Sequence, residues 1–306
     1  MLGVKGRKIN AQALKPKYGG QGRRERERGV ADPVAKRHAY AAEIMRLANV
    51  QNPRLEAAFA AVPREDFAGP PPWRIGSGGF FGLISSDDPE RLYEDVLVAI
   101  DAERGINNGQ PSLHARSIDA LGLKEGETVL HIGAGAGYYT AILAEVAGPT
   151  GRVIAYEIAS EIAARAAANL GPYPKVEVRA RSGVDPLPEA DAIYVSAAAS
   201  HPVRAWLDAL KARGRLVFPL QAARSAGAML IVTRPERGEA WPARLLTGVV
   251  FISCEGAQDS AMGRKLDDAF RRGGEGRVRS LRFGGAPRET DWVRGDDWAL
   301  STDPAN

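Results

Sequence analysis

Gly133, Gly135 and Gly137 stand at alternate positions directly after the apolar run Val129-Leu130-His131-Ile132, and a helical pattern follows them. A backbone that reverses sharply and approaches a ligand closely needs residues without side chains, and the helix N-terminus behind such a turn offers free N–H groups. Twenty residues beyond Gly137, Glu157 ends the next apolar run. A carboxylate there can accept hydrogen bonds from both ribose hydroxyls of an adenosyl group, although an exposed acid ending a strand has the same sequence appearance. Strand, glycine turn, helix, strand and acid in this order predict a bound adenosyl cofactor. The nicotinamide fingerprint requires a third glycine at position 138, which is Tyr138, so a dinucleotide oxidoreductase is disfavoured.

The elements that must position this turn are readable around it. Residues 128–132, 152–156, 176–179, 192–196 and 215–219 read as strands, and residues 139–147, 159–170 and 203–211 as helices, with Gly214 ending the last. Strands apolar on both faces and joined by helices predict an α/β fold, a doubly wound, mostly parallel sheet with helices on both faces. Residues 229–233 and 248–253, linked by a polar hairpin, are expected to add antiparallel strands at the C-terminal side. A further hairpin is expected around Arg294-Gly295-Asp296, between Trp292 and Trp298. Upstream, residues 35–48 read as a helix, and Asn52-Pro53 caps and opens a second one whose Leu55, Ala58, Phe59 and Val62 share a face. Residues 69–82, rich in Gly and Pro, read as a loop in which Trp73, Phe80 and Phe81 either pack or line an entrance.

Composition excludes several classes. The lone Cys254 forbids an intramolecular disulfide and any CxxC pair, and His38, His114, His131 and His201 lack ligand spacing, so no metal is expected. The net charge of +4 is local: residues 1–37 carry +8 and the remainder −4. The basic segment 1–34 has too little apolar surface to offset its ordering entropy and is expected to be a disordered tail, the one part through which nucleic acid would be met. No apolar run approaches the roughly 20 residues of a membrane span, and no secretory signal is visible, so a cytoplasmic monomer with no membrane contact is expected.

From about residue 36 to residue 255 the chain resembles the protein-L-isoaspartate O-methyltransferases. The resemblance rests on VPREDF (62–67), YEDVLVAI (93–100), GINNGQPSLHA (105–115), VLHIGAGAGYYTAILAE (129–145), VSAA (195–198) and LKARGRLVFPL (210–220). It divides the chain into the tail 1–34, a methyltransferase domain 35–255 and an extension 256–306 of unassigned role. It implies S-adenosyl-L-methionine as cofactor and an isoaspartyl residue of a damaged protein as substrate, whose side-chain carboxylate receives the methyl group before the ester cyclises to a succinimide. The resemblance further implies a cofactor set of His114, Gly133, Ala134, Gly135, Gly137, Glu157, Ser182 and Gly183, and a substrate loop at Asn107, Asn108 and Gly109.

Three departures accompany it. Ser182 stands where the family has the aspartate of a Gly-Asp-Gly element, and His131 stands where an acid usually precedes the glycine turn. Gly109 stands at the loop serine that meets the reacting carboxylate; Ser112 replaces that hydroxyl only if the loop is realigned with a gap. Alternatives therefore stay open: a methyltransferase for another carboxylate or a small molecule, or a non-catalytic S-adenosylmethionine-binding protein. If alignment dominates catalysis, the amides of residues 108–110 can still hold the carboxylate, and Gly109→Ser is expected to raise the rate about 10-fold provided that position 109 tolerates a side chain.

Overall fold

The protein is described by a computed structural model covering residues 32–76, 82–223 and 225–305. Helix α1 (Pro33–Ala48) begins with a cap, the Asp32 carboxylate accepting from the Val34 amide at 3.0 Å. Helix α2 (Pro53–Ala61) starts as its sequence demands: Asn52 accepts from the Leu55 amide and Pro53 takes the first helical position. The short α3 (Glu65–Ala68) leads into β1 (Trp73–Gly76), β2 (Ile84–Ser86), β3 (Leu97–Asp101) and β4 (Ile106–Asn107), which form a small sheet in the order β2-β1-β3-β4. The loop expected over residues 69–82 thus contains a strand. Trp73 and Ile75 are buried while Arg74 between them is exposed, a period of two that the surrounding Gly and Pro conceal. Phe80 and Phe81 lie outside the described residues.

The main sheet is built from α4 (Pro111–Ala120), β5 (Thr128–Ile132), α5 (Tyr138–Ala147), β6 (Arg152–Glu157), α6 (Ser160–Asn169), β7 (Val176–Ala180), β8 (Ala190–Val195), α7 (Arg204–Ala209), β9 (Leu210–Leu220), β10 (Gly227–Thr233) and β11 (Ala240–Val249). It is completed by α8 (Ser260–Arg272), β12 (Ser280–Phe283), β13 (Asp291–Arg294) and β14 (Trp298–Ser301). Among the described residues it has ten strands in the order β13-β14-β12-β11-β10-β9-β8-β5-β6-β7. The β7-β6-β5-β8-β9 half is parallel and the rest antiparallel. The expected doubly wound α/β fold with antiparallel strands at the C-terminal side is what the chain adopts.

Both faces of the sheet are covered. On β5, Val129 joins a core shared with α1, α2, α4 and α5, while Leu130 and Ile132 join one shared with α7 and α8. Trp206, fully buried in the second core, alone contributes on the order of 3 kcal/mol of apolar burial and donates its indole N–H to the Gly183 carbonyl.

Three element boundaries differ from expectation. The helix expected over 203–211 stops at Ala209, and Gly214 lies inside β9, because the Arg213 amide and the Gly214 carbonyl both pair with Arg234 across the sheet. The strand expected over 248–253 is instead β11, so the residues taken for a long polar hairpin are mostly strand. Beyond Val249, Phe251 gives both its amide and its carbonyl to the side chain of Gln221. Residues 280–301 do form the expected Trp292/Trp298 hairpin, and they join the main sheet as its edge.

Residues 1–31 of the expected tail lie outside the described residues, whereas Asp32 to Val34 belong to α1 and its cap. A chain beginning at Ala35 is therefore expected to be about 1 kcal/mol less stable than one beginning at Asp32, a loss of a few degrees in a thermal melt. Equal melting temperatures would show that the cap contributes nothing.

Candidate active site

The glycine turn leaves the carboxyl end of β5, the end at which ligands bind in open parallel sheets. Register fixes its geometry: Ile132 lies beside Tyr156 on β6, and the Tyr156 carbonyl accepts from the amides of both Gly133 (2.9 Å) and Ala134 (3.1 Å). One residue further on, Glu157 Oε2 accepts from the Gly135 amide at 2.9 Å and Oε1 from the Ala159 amide at 3.0 Å. Gly135 has φ +55°, a left-handed conformation that favours glycine, and a Cβ there would press on the terminal methyl of Ile100 at 2.8 Å.

A cleft of about 600 Å³ opens against this turn. Such a volume falls within the range of small-molecule sites. Gly133, Ala134, Gly135 and His114 line it on one side, Asn107, Asn108 and Gly109 on another, and Val249 to Ile252 close it. Gly137 instead forms the N-cap of α5, and Glu157, Ser182 and Gly183 lie off the cleft wall at the ends of β6 and β7. Ser182 accepts from the Val184 amide at 3.3 Å, and a Cβ on Gly183 would sit 2.5 Å from Ile132. The structure brings together the turn, His114 and the substrate loop, whereas Gly183 packs against Ile132 and Ser182 bonds Val184, neither of them on the cleft. A side-chain-free wall, a carboxylate holding the turn and a cleft of this size fit an adenosyl cofactor.

Hydrogen bonds already engage most of the expected substrate loop. The Asn108 amide donates to the Val98 carbonyl (3.0 Å), the Asn108 side chain accepts from the Val98 amide (2.8 Å), and the Gly109 amide donates to Asn107 Oδ1 (2.9 Å). Of the amides of 108 to 110, expected to hold a carboxylate, those of 108 and 109 are therefore occupied. Ser112 is not a substitute hydroxyl either: its Oγ and amide both donate to Asp95, which also accepts from Gln110 Nε2. Asp95, the third residue of YED, was given no role from sequence, yet it fixes the start of α4.

Gly109 has φ +74°, and an ideal Cβ there would lie 2.1 Å from His114 Nε2. The hydroxyl expected to be restorable at this position has no room. His114 is stacked on Tyr139 with ring centroids 3.7 Å apart and planes 4° from parallel, and its Nδ1 lies 2.7 Å from the Tyr194 hydroxyl. Its Nε2 has no hydrogen-bond partner. Burial holds its pKa well below the ordinary histidine value.

His131 is equally buried, with Nδ1 2.8 Å from Thr140 Oγ1 and Nε2 3.0 Å from Ser196 Oγ, and burial pushes its pKa down to about 3. It is a neutral residue where an acid was the family expectation. Thr140, Ser196, Tyr139 and Tyr194 were not singled out from sequence. Their signal was weak: hydroxyl-bearing residues at a strand end and in the first turn of the helix behind the glycines. Among the described residues no cluster of His, Cys, Asp or Glu could hold a metal, and no helix is long and apolar enough to cross a membrane.

Two outcomes follow from this geometry. Gly109→Ser is expected to lower stability by roughly 1–2 kcal/mol from backbone strain alone, with the contact to His114 adding to it, and to leave the rate unimproved; an unchanged melt with a faster rate would contradict the clash. The neutral His131 also links stability to pH. The unfolded chain takes up a proton below about pH 6.5 and the folded one only near 3, so the stabilisation is complete above pH 6.5 and declines as pH falls. Between pH 6.5 and 5 the loss is about 2 kcal/mol from this residue, and His131→Gln should flatten that part of a melting-temperature profile.

Comparison with known proteins agrees with the site. Residues 84–258 match the family model described as Protein-L-isoaspartate(D-aspartate) O-methyltransferase. A protein-L-isoaspartate O-methyltransferase of Rhodopseudomonas palustris is 36% identical over 188 residues, covering 60% of this chain and 78% of the relative. One from Pyrobaculum neutrophilum is 33% identical over 222 residues, covering 70% and 97%. Two solved structures share the fold. The first, a protein-L-isoaspartate O-methyltransferase, has TM-score 0.60 and 22% identity over 81% of this chain and 71% of its own. The second, from Plasmodium falciparum in complex with S-adenosyl-L-homocysteine, has TM-score 0.58 and 18% identity over 72% and 98%. The glycine turn, the loop before α4 and these matches have one explanation: the chain belongs to the protein-L-isoaspartate O-methyltransferase family and is a methyltransferase with S-adenosylmethionine as its cofactor.

Proposed function

We propose that this chain methylates the side-chain carboxylate of isoaspartyl residues in damaged proteins. The observation that carries the reading is the charge of the cleft: none of the described residues lining it is Asp, Glu, Lys or Arg. Bound S-adenosylmethionine supplies a methyl carbon attached to a positively charged sulfur. An acceptor carboxylate brings the opposite charge, and both charges vanish on transfer. A wall without competing charges leaves the two reactants as each other's partners, while Leu113, Val249 and Phe251 limit access of water.

The chain's own work is then alignment. A carboxylate is ionised at pH 7 and requires no base. Buried His131 suits that, since a ring neutral down to about pH 3 is too weak a base to matter. Gly133, Ala134 and Gly135 are assigned to the cofactor side of the cleft, Glu157 to the ribose through lone pairs beyond those given to Gly135 and Ala159, and Gly137, Ser182 and Gly183 to the turn and adenine ends. Residues 107–109 shape the acceptor side. The same reading takes residues 35–255 as the catalytic domain and 256–306 as an appended segment. It has the protein acting as a cytoplasmic monomer on peptide or protein substrates, with nucleic acid met only through the basic segment 1–34.

Incubation with methyl-labelled S-adenosylmethionine and isoaspartyl, aspartyl and D-aspartyl peptides should yield base-labile methyl ester on the isoaspartyl peptide. Normal cofactor binding without ester on any isoaspartyl peptide would overturn the acceptor assignment. Glu157→Ala should weaken S-adenosyl-L-homocysteine binding about 10- to 150-fold by calorimetry, the magnitude of hydrogen bonds to a charged group. Unchanged affinity would remove Glu157 from the cofactor set.

A further inference from the structure

The loop between β4 and α4 contains a pair of residues that is chemically labile in any protein. Of the asparagines in the sequence only Asn108 is followed by glycine, and no aspartate is. At Asn-Gly the main-chain nitrogen of the glycine can reach the side-chain carbonyl carbon of the asparagine, because no Cβ stands in the way and the glycine backbone turns freely. The pair lies on the cleft wall, in a stretch that belongs to no helix or strand, so water has access to it.

The fold keeps both residues for reasons of its own. Gly109 has φ +74° and a Cβ there would run into His114, so no other residue type replaces it cheaply. Asn108 takes the Val98 amide on its Oδ1 at 2.8 Å and gives its own amide to the Val98 carbonyl at 3.0 Å, which fastens the loop to β3. Its Nδ2 has no acceptor among the described residues, so the group that would leave is untethered. One contact opposes the reaction. The Gly109 N–H donates to Asn107 Oδ1 at 2.9 Å, and the nitrogen must give up that proton before it can attack.

We propose that Asn108-Gly109 is a deamidation site through which this chain loses its own activity as it ages, and that Asn107 is the residue that slows it. The Gly109 nitrogen loses its proton and bonds to Cγ of Asn108, the bond from Cγ to Nδ2 breaks, and ammonia leaves with that proton. Water then opens the succinimide at either carbonyl, so residue 108 becomes aspartate or isoaspartate. Each product puts a carboxylate on a wall that has no charged side chain among its described residues. The loss of activity rests on the proposed carboxylate acceptor, which the new charge repels and with which it competes for the sulfonium. The isoaspartyl product also lengthens the main chain by one methylene at the residue that fastens the loop to β3.

The test holds the full-length folded protein at mildly alkaline pH and follows the tryptic peptide 105–116 by mass spectrometry. Asn108 should take on the mass change from amide to acid faster than any other asparagine, and resolve into aspartyl and isoaspartyl forms. Conversion no faster than at Asn52 or Asn169 overturns the proposal. Asn107→Ala, which frees the Gly109 N–H, should speed conversion at 108 roughly 5-fold, as for one neutral hydrogen bond, and leave the rates at Asn52 and Asn169 as they were. No rise at 108 overturns the role of Asn107, as does an equal rise at all three, which would report a loosened fold. On an isoaspartyl peptide, Asn108→Asp should lower kcat/KM about 10-fold, the effect of like charges roughly 12 Å apart at an effective dielectric constant near 20. An unchanged kcat/KM overturns the self-inactivation. If that variant does not fold, aged wild type decides, since its activity should fall in step with conversion at Asn108. If fresh wild type esterifies no isoaspartyl peptide, the functional reading fails and takes the self-inactivation with it, whereas the mass of peptide 105–116 still decides the modification site.

Discussion

A single carboxylate ties the ligand end of the sheet to the sheet itself. Parallel pairing of β5 and β6 brings Ile132 level with Tyr156, and there the two strands must part, leaving amides in the turn that no strand can satisfy. The Tyr156 carbonyl takes those of Gly133 and Ala134, and the Glu157 carboxylate takes those of Gly135 and Ala159. All of these partners are donors, so the group at 157 has to accept on two oxygens at once. An ionised carboxylate does this and a carboxamide, with one acceptor oxygen, does not. The same residue is the one expected to receive ribose hydroxyls, so the strength of the turn and the recognition of the cofactor rest on one side chain.

The opposite wall of the cleft is held from further away. Arg64 is fully buried, with its ring-facing side over Tyr138, and its guanidinium donates to the carbonyls of Leu92 (2.6 Å), Glu94 (3.0 Å) and Val96 (2.5 Å). That clamp sets residues 92–96 and with them Asp95, which gathers Gln110 and Ser112 at the start of α4. Gly109 and His114 flank this anchor on either side. Tyr40, Phe59, Tyr138 and Tyr139 continue the contact into α1, α2 and α5 through tilted and edge-on ring pairs. The N-terminal helices, remote in sequence from the glycine turn, thereby fix the wall of the cleft at residues 107–110.

What the sequence made legible follows from locality. β5 to β8 and the helices between them announce themselves by apolar runs and glycine punctuation, and Asn52-Pro53 specifies a helix start by its own hydrogen bonding. The turn and Glu157 are linked by twenty residues of regular spacing. By contrast, β1 is a strand because Trp73 and Ile75 find a small core, which no local pattern of Gly and Pro encodes. β11 contains Pro242 and Gly248, which read as turn punctuation, and its pairing with β10 and β12 is a non-local fact. At the site, a glycine at 109 reads as a lost serine; only three-dimensional placement shows that His114 occupies the space a serine would need.

The departures at 109, 131 and 182 all lie at one end of the sheet, and each replaces a family residue with one that carries no charge. His131 is not left as a stray polar group, since Thr140 and Ser196 satisfy both of its nitrogens. An uncompensated acid among the buried rings would need a cation or a raised pKa to be tolerated, and none of the described cleft-lining residues is a cation. A neutral wall suits a reaction whose reactants are a cation and an anion and whose products are neither. In such a cleft the largest electrostatic attraction open to the acceptor carboxylate is the sulfonium beside it, so the residues around it are left to hold distance and direction.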